Sequence, residues 1–241
     1  MRCVNPKTPR RLLNWNPPSQ ECVLSDDDVH VWAADLDEVS LVREFAHILS
    51  PDETERAGRF HFRRDRRNFI TARGLLRTIL AHYTKTQATE LQFAYSTNGK
   101  PSLAFAAQFQ NLNFNLSHCD GIAVYAVARN RDLGIDVESL RPFSEIHEIA
   151  ERCFSPEERS SLRSLESPQQ EERFFRYWTR KEAILKCSGE GFSNASEKLE
   201  TLSFEGSIQE LEPAEGYIAT LAVYGKPFGL KTWRFNCDLF V

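Results

Sequence analysis

The region between residues 112 and 138 constrains the fold more than any other part of the chain. Residues 112–118 alternate between apolar and polar side chains, residues 122–128 are continuously apolar, and residues 133–138 alternate again. Blocks of this length, separated by short turns rich in Asp, Asn and Gly, predict three antiparallel β-strands with the middle strand central in its sheet. In an up-down-up meander, His118 and Glu138 would end at the same edge of that sheet.

The third block places two acids on one side of a strand. Its residues alternate between the apolar set Leu133, Ile135 and Val137 and the set Gly134, Asp136 and Glu138. Side chains two apart project to the same face, so both carboxylates are expected on one exposed face, with Cα atoms roughly 6.5 to 7 Å apart. That span suits two carboxylates converging on a hard cation such as Mg²⁺, which takes one or two protein carboxylates and adds water and phosphate oxygens.

A long helix is predicted from about Gln170 to Cys187. Within it, Glu182 and Lys186 are spaced i to i+4 and therefore share a face. From that face a carboxylate could reach a metal ion and an ammonium group could reach a phosphate oxygen. Taken alone, the same pair is also compatible with an ordinary ion pair on a solvated helix surface.

Capping residues and periodicity predict further elements. Asp65 is a candidate N-cap for a helix running to about Tyr83, and Arg66, Arg73 and Arg77 fall on one face of it. Those arginines form either an anion-binding wall or a solvated helix face. Shorter helices are expected at about residues 144–152 and after Ser155-Pro156, strands at 218–224 and 231–235, and Gly189 and Gly191 are expected to end the long helix.

Length and composition narrow the class of protein. The chain has 241 residues, of which 41% are hydrophobic, and a formal net charge of -4; this fits one large domain or two halves and disfavours a general nucleic-acid binder. The polar start lacks the apolar core of a secretory signal, and residues 122–128 are too few to span a membrane, so we expect a cytoplasmic protein. The six cysteines show no metal-ligand spacing and are expected to be reduced thiols.

Two motifs, taken together, resemble those of a known enzyme family. G-I-D-V-E at residues 134–138, followed by W-x-x-K-E-A-x-x-K at residues 178–186, is similar to the paired signature of the 4′-phosphopantetheinyl transferases, and specifically of their Sfp-type branch. Three further segments fit the same family: Gly99-Lys100-Pro101, the strand from Phe114 to His118, and F-S-P-E-E at residues 154–158. The similarity extends from about residue 50 to residue 191.

The resemblance implies an α+β fold made of two similar α/β halves packed about a pseudo-twofold axis, with the active site in the cleft between them. The N-terminal half, residues 1–130, would bind the nucleotide of coenzyme A. The C-terminal half, residues 131–241, would provide the Mg²⁺-binding acids and the catalytic helix. Because subunits of the short, trimeric branch of the family are much shorter than this chain, the resemblance also favours a monomer.

The implied reaction moves 4′-phosphopantetheine from coenzyme A to a serine of an apo acyl or peptidyl carrier protein and releases adenosine 3′,5′-bisphosphate. The resemblance assigns Asp136, Glu138 and Glu182 to Mg²⁺, Lys186 to the transferring phosphate, and Glu182 also to general-base catalysis. It further assigns Ser117 and His118 to the phosphates of coenzyme A, Lys100 to the region of the adenine nucleotide, and Arg56 and Arg73 to a basic wall for a nucleotide phosphate.

One departure and two alternative functions remain open. Glu53 stands where some relatives have a basic residue, so contact with the 3′-phosphate would depend on Arg56 and the arginine-bearing helix. The same acids could serve a Mg²⁺-dependent phosphohydrolase or nucleotidase, which would release phosphate products without any carrier protein. The chain could also be a coenzyme A-binding module without turnover, in which case Glu182→Gln would have no turnover to remove.

Overall fold

A computed structural model describes residues 15, 22–39, 41–189 and 204–235. In chain order it contains strand β1 (Asp28–Asp35), helices α1 (Val42–Ile48), α2 (Pro51–Gly58) and α3 (Arg63–Thr84), strands β2 (Phe93–Tyr95) and β3 (Pro101–Leu103), and a 3₁₀ turn (Ala106–Phe109). Strands β4 (Leu112–Cys119), β5 (Ile122–Arg129) and β6 (Leu133–Ser139) follow, then helices α4 (Ile146–Cys153), α5 (Pro156–Arg163) and α6 (Gln169–Ser188), and strands β7 (Gly206–Leu211), β8 (Tyr217–Tyr224) and β9 (Gly229–Arg234). The predicted α+β class is confirmed.

The first sheet has the strand order β4-β5-β1-β9. Its central strands, β1 and β5, are covered on both faces. Trp32 and Tyr125 pack with Leu76 of α3 on one face, whereas Val31 and Val124 pack against the second sheet on the other. Burial on both faces explains why residues 122–128 are continuously apolar instead of alternating.

The second sheet has the order β6-β8-β7 and is covered on its outer face by α6. Its inner face packs Ile135 and Leu221 against the first sheet. On the outer face, Ala183 and Cys187 of α6 pack against Ala222 of β8. The described chain therefore forms four layers in the order α3, first sheet, second sheet, α6.

The connectivity of the first half is repeated in the second. In each half a strand, β1 or β6, precedes a long helix, α3 or α6, and an antiparallel strand pair, β4-β5 or β7-β8, comes after that helix. The last strand of the pair then lies antiparallel to the first strand of the half, giving the orders β4-β5-β1 and β7-β8-β6. The structure thus contains the two similar halves that the resemblance implied. Strand β9 then returns to the first sheet, parallel to β1.

The predicted three-stranded meander is wrong in one respect. Strands β4 and β5 form the expected hairpin, and Asp120 and Gly121 at its turn both have positive φ, as a tight hairpin turn requires. Strand β6, however, pairs with β8 and not with β5. The reason is that the second edge of β5 is already occupied by β1, a strand that the sequence analysis did not identify.

Helix positions agree with prediction better than their exact ends do. Helix α3 begins at Arg63, so Asp65 lies in its first turn and is not the N-cap. Helix α4 begins at Ile146, two residues later than predicted. Helix α5 has the predicted cap, because the Ser155 hydroxyl accepts from the Glu158 backbone N–H while the Glu158 carboxylate accepts from the Ser155 backbone N–H. Gly189, with φ of 75°, ends α6.

Some sequence predictions fall outside the described residues, namely the nature of residues 1–14 and 16–18, the role of Gly191, and the states of Cys3 and Cys237. Among the described residues, Cys22, Cys119, Cys153 and Cys187 form no disulfide, in agreement with the predicted reduced thiols. Strand β7 and helices α1 and α2 had not been predicted. Among the described helices, none combines the length and the apolar character that crossing a membrane requires.

Candidate active site

The glycine at the start of the acid motif determines how closely α6 approaches β6. A Cβ atom at position 134 would lie 2.1 Å from the carbonyl oxygen of Ala183 and 2.3 Å from the backbone nitrogen of Cys187. These distances leave no room for a side chain, so Gly134 allows α6 to pack directly on the acid-bearing face of the strand. From the sequence, Gly134 was interpreted only as one position of an alternation. A glycine inside a strand pattern was the signal for this close approach.

This packing buries Asp136 and corrects the prediction of an exposed strand face. Only 5% of Asp136 is exposed. Lys186 donates from Nζ to Asp136 Oδ1 at 2.7 Å and to Ser117 Oγ at 3.0 Å, and Ser117 Oγ donates to the same carboxylate oxygen at 2.8 Å. The other oxygen, Asp136 Oδ2, is buried and has no hydrogen-bond partner among the described residues. Strands β4 and β6 and helix α6 therefore each contribute one member of this group.

Glu182 faces the same space from one turn earlier on α6 and is half-buried. Burial, followed by the charge of Asp136, raises the pKa of Glu182 to about 7 against the opposing charge of Lys186. A carboxyl group with a pKa near neutrality is suited to accept and release a proton. Burial is the largest cause of this shift, and the two nearby acids Asp136 and Glu138 add to it.

Glu138 is held by two residues that the sequence analysis missed. Arg141 donates from Nη1 to Glu138 Oε2 at 3.1 Å, and the Cys119 thiol donates to the same oxygen at 3.2 Å. Burial, together with the charge of Glu138, raises the pKa of Cys119 to about 12, which keeps the thiol protonated. Cys119 could have been noticed because it directly follows His118 at the strand end, whereas Arg141, beyond β6, had no local signal.

The donor types at this site suit a divalent cation, although the described residues include no cluster of three or more His, Cys, Asp or Glu side chains close enough to hold a metal ion. Buried polar atoms in proteins are normally paired, so the unpartnered Asp136 Oδ2 indicates a missing partner. Two nearby acids, Asp136 and Glu138, act on Glu182 against the single positive charge of Lys186, an environment that favours a cation. Carboxylate oxygens are the protein ligands that Mg²⁺ takes.

Three cavities surround these residues, and residues of both halves line two of them. The reaction cavity, of about 340 Å³, is lined by Leu116, Ser117, His118, Asp136, Val137, Glu138 and Lys186. The loop cavity, of about 520 Å³, also includes Lys186 and adds Lys100 and Glu182. The arginine cavity, of about 460 Å³, lies in the first half and includes Arg56, Arg73 and Tyr95. His118 is exposed and lines both the reaction cavity and the arginine cavity.

Lys100 connects the two halves. Its Nζ donates to the carbonyl oxygens of Leu133 and Cys187, each at 3.2 Å, and Asn98 donates from Nδ2 to the carbonyl oxygen of Gly189 at 2.9 Å. Both side chains thus reach carbonyl groups at or near the C-terminal end of α6, where a cation is also favoured by the helix dipole. Burial lowers the pKa of Lys100. The lysine is therefore within the loop cavity and also part of the contact between halves.

The arginines predicted to form a basic wall have different surroundings in the structure. Arg56 is exposed and stacks over Phe69, with its guanidinium carbon 5.4 Å from the ring centroid. Arg73 lines the same cavity but donates to Glu53 at 2.7 Å. Arg77 is only 1% exposed and also donates to Glu53, so it belongs neither to a solvated helix face nor to the cavity wall.

Comparisons with known proteins agree with the two-half organisation. A family model described as "4'-phosphopantetheinyl transferase, N-terminal" matches residues 31–130, and one described as "4'-phosphopantetheinyl transferase superfamily" matches residues 132–228. The chain is 39% identical over 233 residues to the 4'-phosphopantetheinyl transferase HetI of Nostoc sp., covering 92% of this chain and 98% of that protein.

More distant relatives match over a shorter length. The 4'-phosphopantetheinyl transferase Sfp of Bacillus subtilis is 29% identical over 149 residues, covering 62% of this chain and 64% of Sfp. The L-aminoadipate-semialdehyde dehydrogenase-phosphopantetheinyl transferase of Mus musculus is 29% identical over 160 residues, covering 63% of this chain and 52% of that protein. With two family models matching consecutive halves and one relative matching almost end to end, the chain belongs to the 4′-phosphopantetheinyl transferase superfamily.

Proposed function

We propose that this chain transfers the 4′-phosphopantetheine group of coenzyme A to a serine of an apo acyl or peptidyl carrier protein. The observation that supports this most directly is the convergence of Asp136, Glu182 and Lys186 beside Ser117 and His118 in the cleft. The names of the matched relatives agree with a transferase. They give no support to the phosphohydrolase or the non-catalytic alternative.

In the proposed reaction, the serine oxygen forms a bond to the β-phosphorus of the pyrophosphate. The bond from that phosphorus to the bridging oxygen breaks, and its electron pair leaves with adenosine 3′,5′-bisphosphate. The serine proton passes to the Glu182 carboxylate, directly or through water, since Glu182 lines the cleft together with Lys186. Lys186 places a positive charge beside the phosphate oxygens, where charge is shared during phosphoryl transfer.

Asp136 and Glu182 are the side chains that would hold Mg²⁺, with Glu138 as a third ligand or as the holder of a bound water. When bound, the ion neutralises charge on the phosphate oxygens. The unpartnered Asp136 Oδ2 supports this assignment. Because a carboxylate bound to a metal is a poor base, the two roles of Glu182 compete.

The coenzyme A site would follow the cavities outward from the reacting phosphorus. Ser117 and His118 would contact the phosphates from the end of β4, and Lys100 would lie near the adenine nucleotide in the loop cavity. Arg56 and Arg73 would provide positive charge in the arginine cavity. In this assignment residues 1–130 bind the nucleotide and residues 131–241 supply the acids and the catalytic helix.

We also infer that the enzyme acts as a cytoplasmic monomer without nucleic-acid or membrane partners. Both similar halves and the cleft between them are present within a single chain, which supports the monomer. Light scattering coupled to size-exclusion chromatography tests it directly. A mass of one chain across protein concentrations is expected, and a stable dimer would contradict the inference.

The function is tested by the intact mass of an apo carrier protein incubated with this chain, coenzyme A and Mg²⁺. A gain of one phosphopantetheine group is expected, with none in EDTA and none on a carrier whose serine is replaced by alanine. Glu182→Gln is expected to lose the activity, whereas Glu172→Gln, an exposed acid at the other end of α6, serves as the matched control that retains it. No mass gain with several carriers, or phosphate release without a carrier, would reject the proposal.

A further inference from the structure

A buried ion cluster lies behind one wall of the arginine cavity. Glu53 is 2% exposed and accepts hydrogen bonds from Arg73 Nε at 2.7 Å, Arg77 Nε at 2.7 Å and the backbone N–H of Ser50 at 3.0 Å. Burial acts to raise the pKa of Glu53, but the charge of Arg73 and the hydrogen bond from Arg77 outweigh it and lower the pKa. The carboxylate is therefore ionised and fixes both guanidinium groups.

The cluster has one more positive charge than negative charge. Arg77 is enclosed, and its Nη1 donates to the carbonyl oxygens of Ala88 and Leu91 at 2.8 and 3.0 Å. Arg73, by contrast, lines the arginine cavity, with its guanidinium carbon 4.8 Å from the ring centroid of Phe93. Three arginines, Arg56, Arg64 and Arg73, line the cavity together with two acids, Asp65 and Asp120. Positive charge therefore exceeds negative charge there, which favours an anionic group.

Tyr95 extends this chain of contacts to the cavity surface. Its hydroxyl oxygen accepts a hydrogen bond from Arg73 Nη2 at 2.9 Å, and 43% of the residue is exposed. A phenol has one proton to donate, and an arginine cannot accept it, so the Tyr95 O–H can donate to a ligand. Burial raises the pKa of Tyr95, which keeps that proton in place at neutral pH.

The chemistry of coenzyme A indicates which anion would lie in this cavity. Coenzyme A has two anionic groups, the pyrophosphate and the 3′-phosphate monoester. If the pyrophosphate reacts beside Lys186 in the reaction cavity, the remaining anion must lie elsewhere. The arginine cavity is adjacent, since His118 lines both, and it contains Arg56, Arg73 and Tyr95.

We propose that Tyr95 determines specificity for the 3′-phosphate of coenzyme A, and that Glu53 is a positioning residue that holds Arg73 and, through it, the Tyr95 hydroxyl at the cavity wall. This inference rests on the proposed function for the identity of the ligand. It adds a direct hydrogen-bond donor and a positioning carboxylate to a wall previously assigned only to arginines. It also gives the buried Glu53 a role of its own.

The kinetic test compares coenzyme A with 3′-dephospho-coenzyme A as donors to an apo carrier protein. Tyr95→Phe is expected to raise KM for coenzyme A about tenfold, the usual effect of losing a hydrogen bond to a charged group, and to change KM for the dephospho donor little. Tyr177→Phe is the matched control, since Tyr177 packs beside Phe154 and lines none of the three cavities. An unchanged ratio of the two KM values in Tyr95→Phe would overturn the proposal while leaving the transferase function intact.

A binding test does not depend on turnover. Calorimetric titration of the wild type with adenosine 3′,5′-bisphosphate and with adenosine 5′-monophosphate is expected to show a preference for the bisphosphate. Tyr95→Phe should reduce that preference about tenfold, and Glu53→Gln, where it folds, should reduce it as well. If Glu53 had only a structural role, Glu53→Gln would weaken the binding of both ligands equally or of neither. If the wild type and Tyr95→Phe show the same preference, the proposal is wrong whatever the transfer assay shows.

Discussion

The two buried ion clusters beside the cleft differ in how completely they are paired. In the first half, Glu53 binds two arginines and a backbone N–H, and the cluster has an excess of positive charge. Between the halves, Asp136 binds Lys186 with one oxygen, and its other oxygen has no hydrogen-bond partner among the described residues. The charges of Asp136 and Glu138 both act to raise the pKa of Glu182 there. A cluster whose carboxylate is fully hydrogen-bonded can hold side chains in place around an anion site. A cluster whose carboxylate has an oxygen without a partner has the chemistry of a cation site.

The largest effect is expected for Asp136→Asn, in the cluster between the halves. The change removes the charge that Lys186 and a cation would meet, so the transfer rate should fall by about a thousandfold, the scale of losing one preorganised electrostatic contact. The side chain of Lys186 is 29% exposed and stays near Glu182, so it keeps water and a second carboxylate as partners, and the thermal midpoint should change little. The carrier mass assay and thermal unfolding measure the two quantities. Retained transfer at saturating Mg²⁺ would count against the metal assignment.

Glu53→Gln should behave in the opposite way, with its main effect on stability. The substitution leaves two arginines without a carboxylate in a buried place, and breaking such a pair costs about 3 to 5 kcal/mol. Urea unfolding measures the free energy of unfolding. Glu55→Gln on the same helix is the control, since both partners of the Glu55–Arg59 pair are largely exposed and such pairs contribute about 0.2 to 1 kcal/mol. Equal effects of the two substitutions would mean that the buried Glu53 cluster stabilises the fold no more than an exposed ion pair does.

Gly134→Ala tests whether the negative cluster depends on the close approach of α6 to β6. The added methyl group would collide with backbone atoms of Ala183 and Cys187, and overpacking of this kind costs about 1 to 3 kcal/mol. Transfer should fall as well, because Glu182 and Lys186 move with the helix. Gly58→Ala is the matched control, because an added Cβ there has no heavy atom within 4 Å. Full activity of Gly134→Ala would show that the spacing is not critical.

The smallest expected effect is a pH dependence of the free energy of unfolding that arises from a histidine in the first half. Burial lowers the pKa of His30 to about 4, so the unfolded chain binds a proton more readily than the folded one between pH 6.5 and pH 4. The free energy of unfolding should therefore be highest above pH 6.5 and should decline as the pH falls, by about 2 kcal/mol at pH 5. Urea unfolding across this range checks it. His30→Gln should flatten the pH dependence, and an unchanged slope would exclude His30 as its source.

Sequence patterns predicted local structure well where the signal was local. The Ser155 cap, the length of α6 and the strands from Leu112 to Glu138 were all predicted to within a residue or two of the structure. The partner of β5 could not be predicted, because β1 lies far away along the chain and its pairing depends on tertiary contacts. The prediction that Asp136 is exposed was wrong for a related reason. Alternation indicates which residues share a face but not what covers that face.

Motifs and hydrophobic periodicity are properties of neighbouring residues, so they were enough to predict the family, the α+β class and the residue types at the candidate site. Which charges meet depends on tertiary packing. Helix α6 reaches Asp136 because Gly134 has no side chain, and Arg73 faces a cavity because Glu53, from another helix, holds it there. Both contacts join residues distant in the chain, and their energies depend on burial, which exists only after the layers have packed.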